Sequence, residues 1–180
     1  MTVEIIYFVH GTTTDNEANR ATGHAPGKLS ELGIQQAKDL GDKIEEEFDA
    51  LYCSDLQRAL KSANLAFGDQ CNIRTDERLR ECDYGEMTRN EFTWDLKNYK
   101  ETPYPGGESY EEVEERISDF LDYLVENHEG EKVALLSHQA PQLALEVLTK
   151  NKTWEEAIET DWREAGEWQP GWKYKVENKK

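Results

Sequence analysis

Two histidines, His10 and His138, each stand at the end of a short apolar run that favours a buried β-strand. Arg58 follows a third such run, and Glu81 lies in an irregular segment further along the chain. An imidazole nitrogen can act as a nucleophile, a guanidinium binds anionic oxygens, and a carboxyl group can transfer a proton. Taken singly, residues of these types are more often structural or solvated than catalytic, so their common position in the fold decides the interpretation.

The apolar runs alternate with segments of helical periodicity. The runs predict strands over residues 5–9, 50–53, 72–74 and 132–136. Ser30 is predicted to cap a helix that continues to about Glu46, and Ser54 with Gln57 forms the pattern of a capping box before a helix that reaches Phe67. The same pattern, Ser109 with Glu112, precedes a helix through Leu124, and Pro141 is predicted as an early position of a further helix.

Two segments lack a steady period. Residues 76–107 predict an irregular excursion with a short helix near Trp94 to Tyr99, which we also expect to form a substrate lid. The tail alternates in part at Trp168, Trp172 and Tyr174, which predicts an edge strand or hairpin. We expect the tryptophans beyond residue 150 to pack in the core of the tail.

Strands that alternate with helices predict an α/β fold, here a three-layer α/β/α sandwich with a mainly parallel sheet, as a single domain over residues 1–180. In such sheets, ligands bind beyond the carboxyl ends of the strands. His10, the segment from Ser54 to Arg58, and His138 each follow a strand. We therefore expect them at one edge of the sheet.

The composition excludes several classes of partner. The formal net charge is −17, which argues against nucleic acid and against anionic membranes, because both require clustered lysine and arginine. Cys53, Cys71 and Cys82 form no C-x-x-C pair, which suits a reducing cytoplasm rather than a disulfide framework. The N-terminal run has no basic region before it and is read as a strand, not a signal peptide. The four histidines lack zinc-ligand spacing, so we expect no metal.

Six segments, in order, resemble the histidine phosphatase superfamily, also called phosphoglycerate mutase-like. The first is Tyr7-Phe8-Val9-His10-Gly11-Thr12-Thr13-Thr14-Asp15-Asn16, which is similar to the Arg-His-Gly signature of that family. The others are Leu29-Ser30-Glu31-Leu32-Gly33-Ile34-Gln35-Gln36-Ala37, Tyr52-Cys53-Ser54-Asp55-Leu56-Gln57-Arg58-Ala59, Leu79-Arg80-Glu81-Cys82-Asp83-Tyr84-Gly85-Glu86, Pro105-Gly106-Gly107-Glu108-Ser109 and Val133-Ala134-Leu135-Leu136-Ser137-His138. Each segment alone is a weak signal, whereas six in this order are specific.

The resemblance implies a role for each reactive residue. His10 would be the nucleophile that attacks phosphorus, while His138 and Arg58 would stabilise the charge on the phosphoryl group. Glu81 would protonate the leaving group and later activate water. The implied substrate-binding residues are Gly11, Asn16, Thr22, Gly23 and Gln139. No cofactor is implied.

Two positions depart from the family pattern. Val9 replaces the arginine that precedes the nucleophilic histidine, so one phosphate-binding cation is missing. Arg20, Lys28 and Arg80 are candidates to compensate for it. Gln139 replaces a residue that is often small. Some branches of the family have an Asp at this position, directly after the second histidine, and use it as the general acid. Because this chain has Gln there, the resemblance favours Glu81 as the acid.

The expected function is hydrolysis of small phosphate monoesters through a phosphohistidine at His10. Two alternatives remain: a non-catalytic or weakly active protein that binds a phosphorylated ligand, which Val9 suggests, and a phosphotransferase of the phosphoglycerate mutase type. The expected partner is a small phosphorylated metabolite, and the sequence leaves the oligomeric state open.

Overall fold

A computed structural model describes residues 2–177 and contains one five-stranded sheet in the order β3-β2-β4-β1-β5. The strands are β1 (Thr2–Val9), β2 (Ala50–Cys53), β3 (Ile73–Thr75), β4 (Lys132–Ser137) and β5 (Trp172–Glu177). The first four run parallel to one another, and β5 pairs antiparallel with β1 at one edge. The predicted α/β fold with a mainly parallel sheet is confirmed, and the tail supplies the predicted edge strand.

Helices cover both faces of the sheet. They are α1 (Thr14–Glu17), α2 (Glu31–Lys43), α3 (Gln57–Phe67), α4 (Tyr110–Asn127), α5 (Gln139–Lys150), α6 (Trp154–Glu159) and α7 (Trp162–Ala165). Successive residues of β1 point to opposite faces, so Ile6 and Phe8 pack with α2 and α3 while Ile5 and Tyr7 pack with α4 and α5. A parallel sheet that is buried on both faces explains why these strands read as continuous apolar runs.

The capping predictions are confirmed for two helices and wrong for a third. Ser30 and Ser109 cap α2 and α4 with their hydroxyl groups, and Glu112 completes the box at α4. The box predicted at Ser54 does not form, because the backbone N–H of Ser54 still donates to Leu136 in the sheet and its hydroxyl accepts from Leu56 instead. Helix α3 therefore begins at Gln57 without a side-chain cap.

Helix α2 ends at Lys43, earlier than the predicted end near Glu46. The backbone of Ile44 is extended, which lets its side chain pack against the apolar cluster beneath α2. Glu46 instead forms ion pairs with Lys132 and Lys173 on the sheet. These contacts with residues distant in sequence favour an extended backbone after Lys43, whereas the local periodicity predicts that α2 continues.

The excursion over residues 76–107 is irregular, as predicted, apart from short 3₁₀ turns. One of them, Leu96–Tyr99, lies within the predicted short helix. Trp94 and Tyr99, from which the lid is expected, are half-buried: the Trp94 indole donates to the Tyr104 hydroxyl, and the Tyr99 ring stacks on Tyr104 at 3.8 Å. These contacts fix the two rings to the buried Tyr104, and their role as a lid stays a prediction.

The tail packs against α5 and β1 less uniformly than predicted. Trp154 and Trp172 are buried, and Trp162 is half-buried and stacks on Trp172. Trp168 is 47% exposed, with only the Lys43 ammonium over its ring, so the expectation of core packing is wrong for this residue. Among residues 2–177 no helix is both long enough and apolar enough to cross a bilayer.

Candidate active site

The carboxyl ends of β1, β2 and β4 meet at one edge of the sheet, as the topology requires. The backbone N–H of His10 donates to Ser137 at 3.3 Å, and that of Ser54 donates to Leu136 at 3.2 Å, so the three strand ends remain joined past the last paired residues. A cavity of about 340 Å³ opens at this edge. Eight predicted site residues line it: His10, Asn16, Thr22, Gly23, Arg58, Glu81, His138 and Gln139.

Gly11 is the predicted site residue that does not line this cavity; it lies in the wall of the neighbouring one. Its Cα packs so closely against the backbone of Gly33 that a Cβ would overlap the Gly33 carbonyl. Its carbonyl oxygen accepts a hydrogen bond from His10 Nδ1 at 2.7 Å. Because a carbonyl can only accept, Nδ1 carries the proton and Nε2 of His10 keeps its lone pair.

His10 is poised as a neutral base. Burial, followed by the positive charge of Arg58, lowers the pKa of His10 from 6.5 to about 3. The ring therefore carries no proton on Nε2 at neutral pH. A nucleophilic imidazole requires this state.

His138 lies beside His10, with the two ring centroids 5.0 Å apart. It is 1% exposed, and neither of its ring nitrogens has a hydrogen-bond partner among the described residues. Burial lowers its pKa well below the usual value, and the charge of Arg58 acts in the same direction. A buried polar ring without a partner is costly, so it indicates a place prepared for a ligand.

Arg58, on the first turn of α3, has the same incomplete bonding. It is 3% exposed; Nη2 donates to the Gly23 carbonyl at 2.8 Å, but the buried Nη1 has no partner in the described part of the chain. Ser62 ties this turn to the His10 loop, since its hydroxyl accepts from the Gly11 N–H and donates to the Arg58 carbonyl. Within residues 2–177, the buried side-chain nitrogens and oxygens without partners are Arg58 Nη1 and the two ring nitrogens of His138.

Glu81 is brought to the same cavity from the irregular segment. It is 7% exposed, and its carboxylate accepts backbone hydrogen bonds from Cys82 at 2.9 Å, Gln139 at 3.2 Å and Ala140 at 3.0 Å. The last two donors belong to the N-terminus of α5, where a negative charge is favoured. Arg116 also fixes this segment by donating to the Glu81 carbonyl at 3.0 Å. The carboxyl group is thus held in a defined place in the wall of the cavity that both histidines also line.

The loop after β1 completes the cavity. Asn16 Oδ1 accepts from the Thr13 N–H in the cap of α1, and no described residue pairs with its amide nitrogen. The Thr22 hydroxyl donates to Asp15 at 2.9 Å. Gly23 has a φ of 52°, a left-handed conformation in which a side chain would also press on Tyr84. This conformation presents its carbonyl to Arg58.

The three residues predicted to compensate for the arginine that Val9 replaces differ in their position relative to the cavity. Arg20 lines the cavity, whereas Arg80 is held by Asp55 in a bidentate pair at 2.7 and 2.6 Å, and Lys28 lines a different cavity.

Arg163 also lines this cavity and was missed by the sequence analysis. Nothing in its local sequence marks it, because it lies on a short helix 153 residues after His10 and only the fold brings them together. Tyr84, Phe92 and Trp162 form the aromatic part of the wall, and the sequence analysis assigned none of them to the site.

We expect His10 to remain neutral far below its ordinary pKa. Between about pH 3 and pH 6.5 the folded protein binds fewer protons at His10 than the unfolded chain does, so stability should fall as the pH is lowered through this window. Nitrogen-15 NMR should show the Nδ1–H tautomer at pH 7, with His10→Ala identifying the signal. A titration near pH 6.5, or the Nε2–H tautomer, would contradict the assignment.

Comparison with known proteins agrees with this geometry. The family model described as "Histidine phosphatase superfamily (branch 1)" matches residues 6–160. Phosphoserine phosphatase 1 of Hydrogenobacter thermophilus is 28% identical over 156 residues, which cover 79% of this chain and 74% of that protein. The 2,3-bisphosphoglycerate-dependent phosphoglycerate mutase of Streptococcus sanguinis is 43% identical over 93 residues, which cover 48% of this chain and only 40% of the mutase.

Among solved structures, Bacillus stearothermophilus YhfR superposes with a TM-score of 0.76 at 28% identity, covering 88% of this chain and 84% of that one. The matched family region contains the ends of β1, β2 and β4 together with His10, Arg58, Glu81 and His138. The relatives named above are a phosphatase and a mutase. This chain belongs to the histidine phosphatase superfamily.

Proposed function

We propose that this protein hydrolyses small phosphate monoesters through a phosphohistidine intermediate on His10. One observation carries the proposal: the unpartnered Nη1 of Arg58 and the unpartnered ring of His138 line the same cavity as the free Nε2 of His10. Two buried donors without acceptors, beside a neutral nucleophile, fit the oxygens of a phosphoryl group. Burial in a site of low dielectric strengthens their effect on a developing negative charge.

The two chemical steps follow from these positions. In the first, the His10 Nε2 lone pair forms a bond to phosphorus, the bond from phosphorus to the leaving oxygen breaks, and Glu81 gives that oxygen its proton. In the second, Glu81 takes a proton from water, the water oxygen bonds to phosphorus, and the phosphorus–nitrogen bond breaks to restore neutral His10. Arg58 and His138 hold the phosphoryl oxygens throughout, so catalysis rests on positioning and charge stabilisation.

The cavity supports a small substrate. A volume of about 340 Å³ accommodates a phosphoryl group and a compact organic part, for which Tyr84, Phe92 and Trp162 provide an apolar wall. The similarity to a phosphoserine phosphatase is in accord with a substrate of this size. The net charge of −17 repels polyanions at long range, which also favours substrates with a single phosphate over polyphosphates.

A phosphotransferase of the mutase type is the second candidate, and the 43% identity to the streptococcal mutase supports it. That identity extends over only 40% of the mutase, whereas the phosphatase relative is matched over 74% of its length. A mutase must also retain the phosphorylated intermediate and return the group to a second hydroxyl. We therefore place hydrolysis first.

Following a labelled phosphoryl group distinguishes the two candidates. The protein is incubated with phosphoserine and, separately, with 3-phosphoglycerate, each labelled at phosphorus, and the products are separated. We expect the label to appear as inorganic phosphate from at least one small monoester. Transfer of the label mainly to another hydroxyl of the organic product would instead establish phosphotransfer.

A further inference from the structure

We propose that Arg163 supplies the second phosphate-binding guanidinium, in place of the arginine that would precede the nucleophilic histidine. The inference rests on the proposed function, because it concerns how the same cavity holds the phosphoryl group. Val9 makes that part of the wall apolar, and its side chain packs against the core cluster shared by α4 and α5. The charge must then come from elsewhere in the fold.

Arg163 reaches the cavity from α7, whose first residue, Trp162, is also part of the wall. Its side chain is 23% exposed, so it is accessible to a ligand yet partly desolvated. Burial is the main cause of the lowered pKa of His10, and the positive charge of Arg163 is a further, smaller cause. Arg20, the other unassigned cation in the wall, is an exposed residue whose side chain forms no hydrogen bond within residues 2–177.

Three neighbours fix the Arg163 guanidinium before any ligand binds. Nη1 donates to Asp161 Oδ1 at 3.0 Å, and Nη2 donates to Gln142 Oε1 at 3.2 Å. The guanidinium also lies over the Trp162 ring at 4.5 Å. A guanidinium has five N–H groups, so these bonds leave donors for an anion and reduce the ordering cost of binding it.

Gln139, the second departure from the family pattern, is part of the same arrangement. Its Nε2 donates to Asp161 Oδ2 at 2.7 Å, while Oδ1 of Asp161 holds Arg163. The Asp161 side chain is 3% exposed, so this clamp is shielded from water. Gln139 follows His138 directly and begins α5. Its bond to Asp161 therefore connects the backbone next to His138 with helix α7, which carries Arg163. Val9 leaves the end of β1 without a cation, and Gln139 helps to hold the cation that α7 brings to the cavity.

The first test compares Arg163→Gln with Arg74→Gln, which removes the same charge from the exposed strand β3. We expect Arg163→Gln to weaken inorganic phosphate binding by about 10- to 100-fold and to lower kcat/KM for a small monoester by a similar factor. Arg74→Gln should change neither quantity by more than about twofold. A phosphate Kd for Arg163→Gln within twofold of the wild-type value would overturn the inference. Arg163→Lys keeps the charge but loses the forked geometry, so its phosphate affinity should lie between those of the wild-type protein and Arg163→Gln. This variant also tests the inference if Arg163→Gln is unstable.

The second test asks whether the two positions are interchangeable. Val9→Arg in the Arg163→Gln background should recover most of the lost phosphate affinity, whereas Val9→Arg alone should gain little because a second cation is already present. A gain of tenfold or more from Val9→Arg alone, without rescue in the double variant, would show that Arg163 does not fill this role. If the wild-type protein binds phosphate but hydrolyses no monoester, the proposed function fails while these phosphate affinities still decide the role of Arg163.

Discussion

His10→Ala should lower kcat for phosphate monoesters by about four orders of magnitude or more, because it removes the atom that forms the bond to phosphorus. Arg58 and His138 keep their places in this variant, since neither is hydrogen-bonded to the His10 ring. Phosphate should therefore still bind, and only turnover should be lost. Steady-state kinetics together with phosphate titration measures the two effects separately.

The intermediate can be sought directly. Rapid quenching of the wild-type protein with labelled substrate should trap an acid-labile, alkali-stable phosphoryl group, and His10→Ala should trap none. His128→Gln is the matched control, because it also removes a histidine but far from the cavity. His128 is hydrogen-bonded to Tyr52 and Glu131, and it lies before the start of β4, at the opposite end of that strand from His138. If wild-type protein and His10→Ala prove equally inert while both bind phosphate, the chain is a phospho-ligand-binding member of the family rather than an enzyme.

The parts of the site that could be predicted from sequence are those tied to strand ends. His10 and His138 each follow an apolar run, and parallel pairing of β1 with β4 places the ends of the two runs side by side. Local pattern and topology are sufficient for this inference. Arg58 follows from the same rule through β2 and the turn into α3.

The position of Arg163 in the wall of the cavity could not be predicted from the sequence. It lies on a four-residue helix with no periodicity of its own, and it reaches the cavity only because α6 and β5 direct the tail back across the end of β1. Its clamp depends on Asp161, which pairs with a residue 22 positions earlier. Neither spacing nor propensity encodes contacts of this kind. For the same reason Arg80 was a plausible compensating cation by sequence, although Asp55 occupies its fork in the fold.

The free protein bears an energetic cost at this edge of the sheet. A buried polar group without a partner costs roughly 1–3 kcal/mol, and within residues 2–177 Arg58 Nη1 and both ring nitrogens of His138 are in that state. The same burial keeps both imidazoles neutral, so the positive charge of the site is concentrated on the arginines. We expect an incoming phosphoryl group to relieve this cost, and its binding free energy therefore to depend strongly on Arg58.

Arg58→Gln should lower kcat/KM by roughly a thousandfold, the scale at which an arginine stabilises a transferred phosphoryl group. Arg58→Lys should lose nearly as much, since an ammonium cannot both donate to Gly23 and present a second fixed donor as the guanidinium does. A loss of less than tenfold in Arg58→Gln would contradict the assignment and shift the main cationic role to Arg163.

Thermal unfolding provides an independent measurement of the same contact. At a phosphate concentration 100 times its Kd, the wild-type protein should gain about 2.7 kcal/mol of stability from binding. If Arg58→Gln weakens binding a thousandfold, the same concentration should stabilise that variant by less than about 0.1 kcal/mol. Without phosphate the variant should lose little, because the substitution removes the orphaned Nη1 together with the bond to Gly23. A variant that is strongly destabilised without phosphate but still stabilised by it would show that Arg58 supports the fold rather than the ligand.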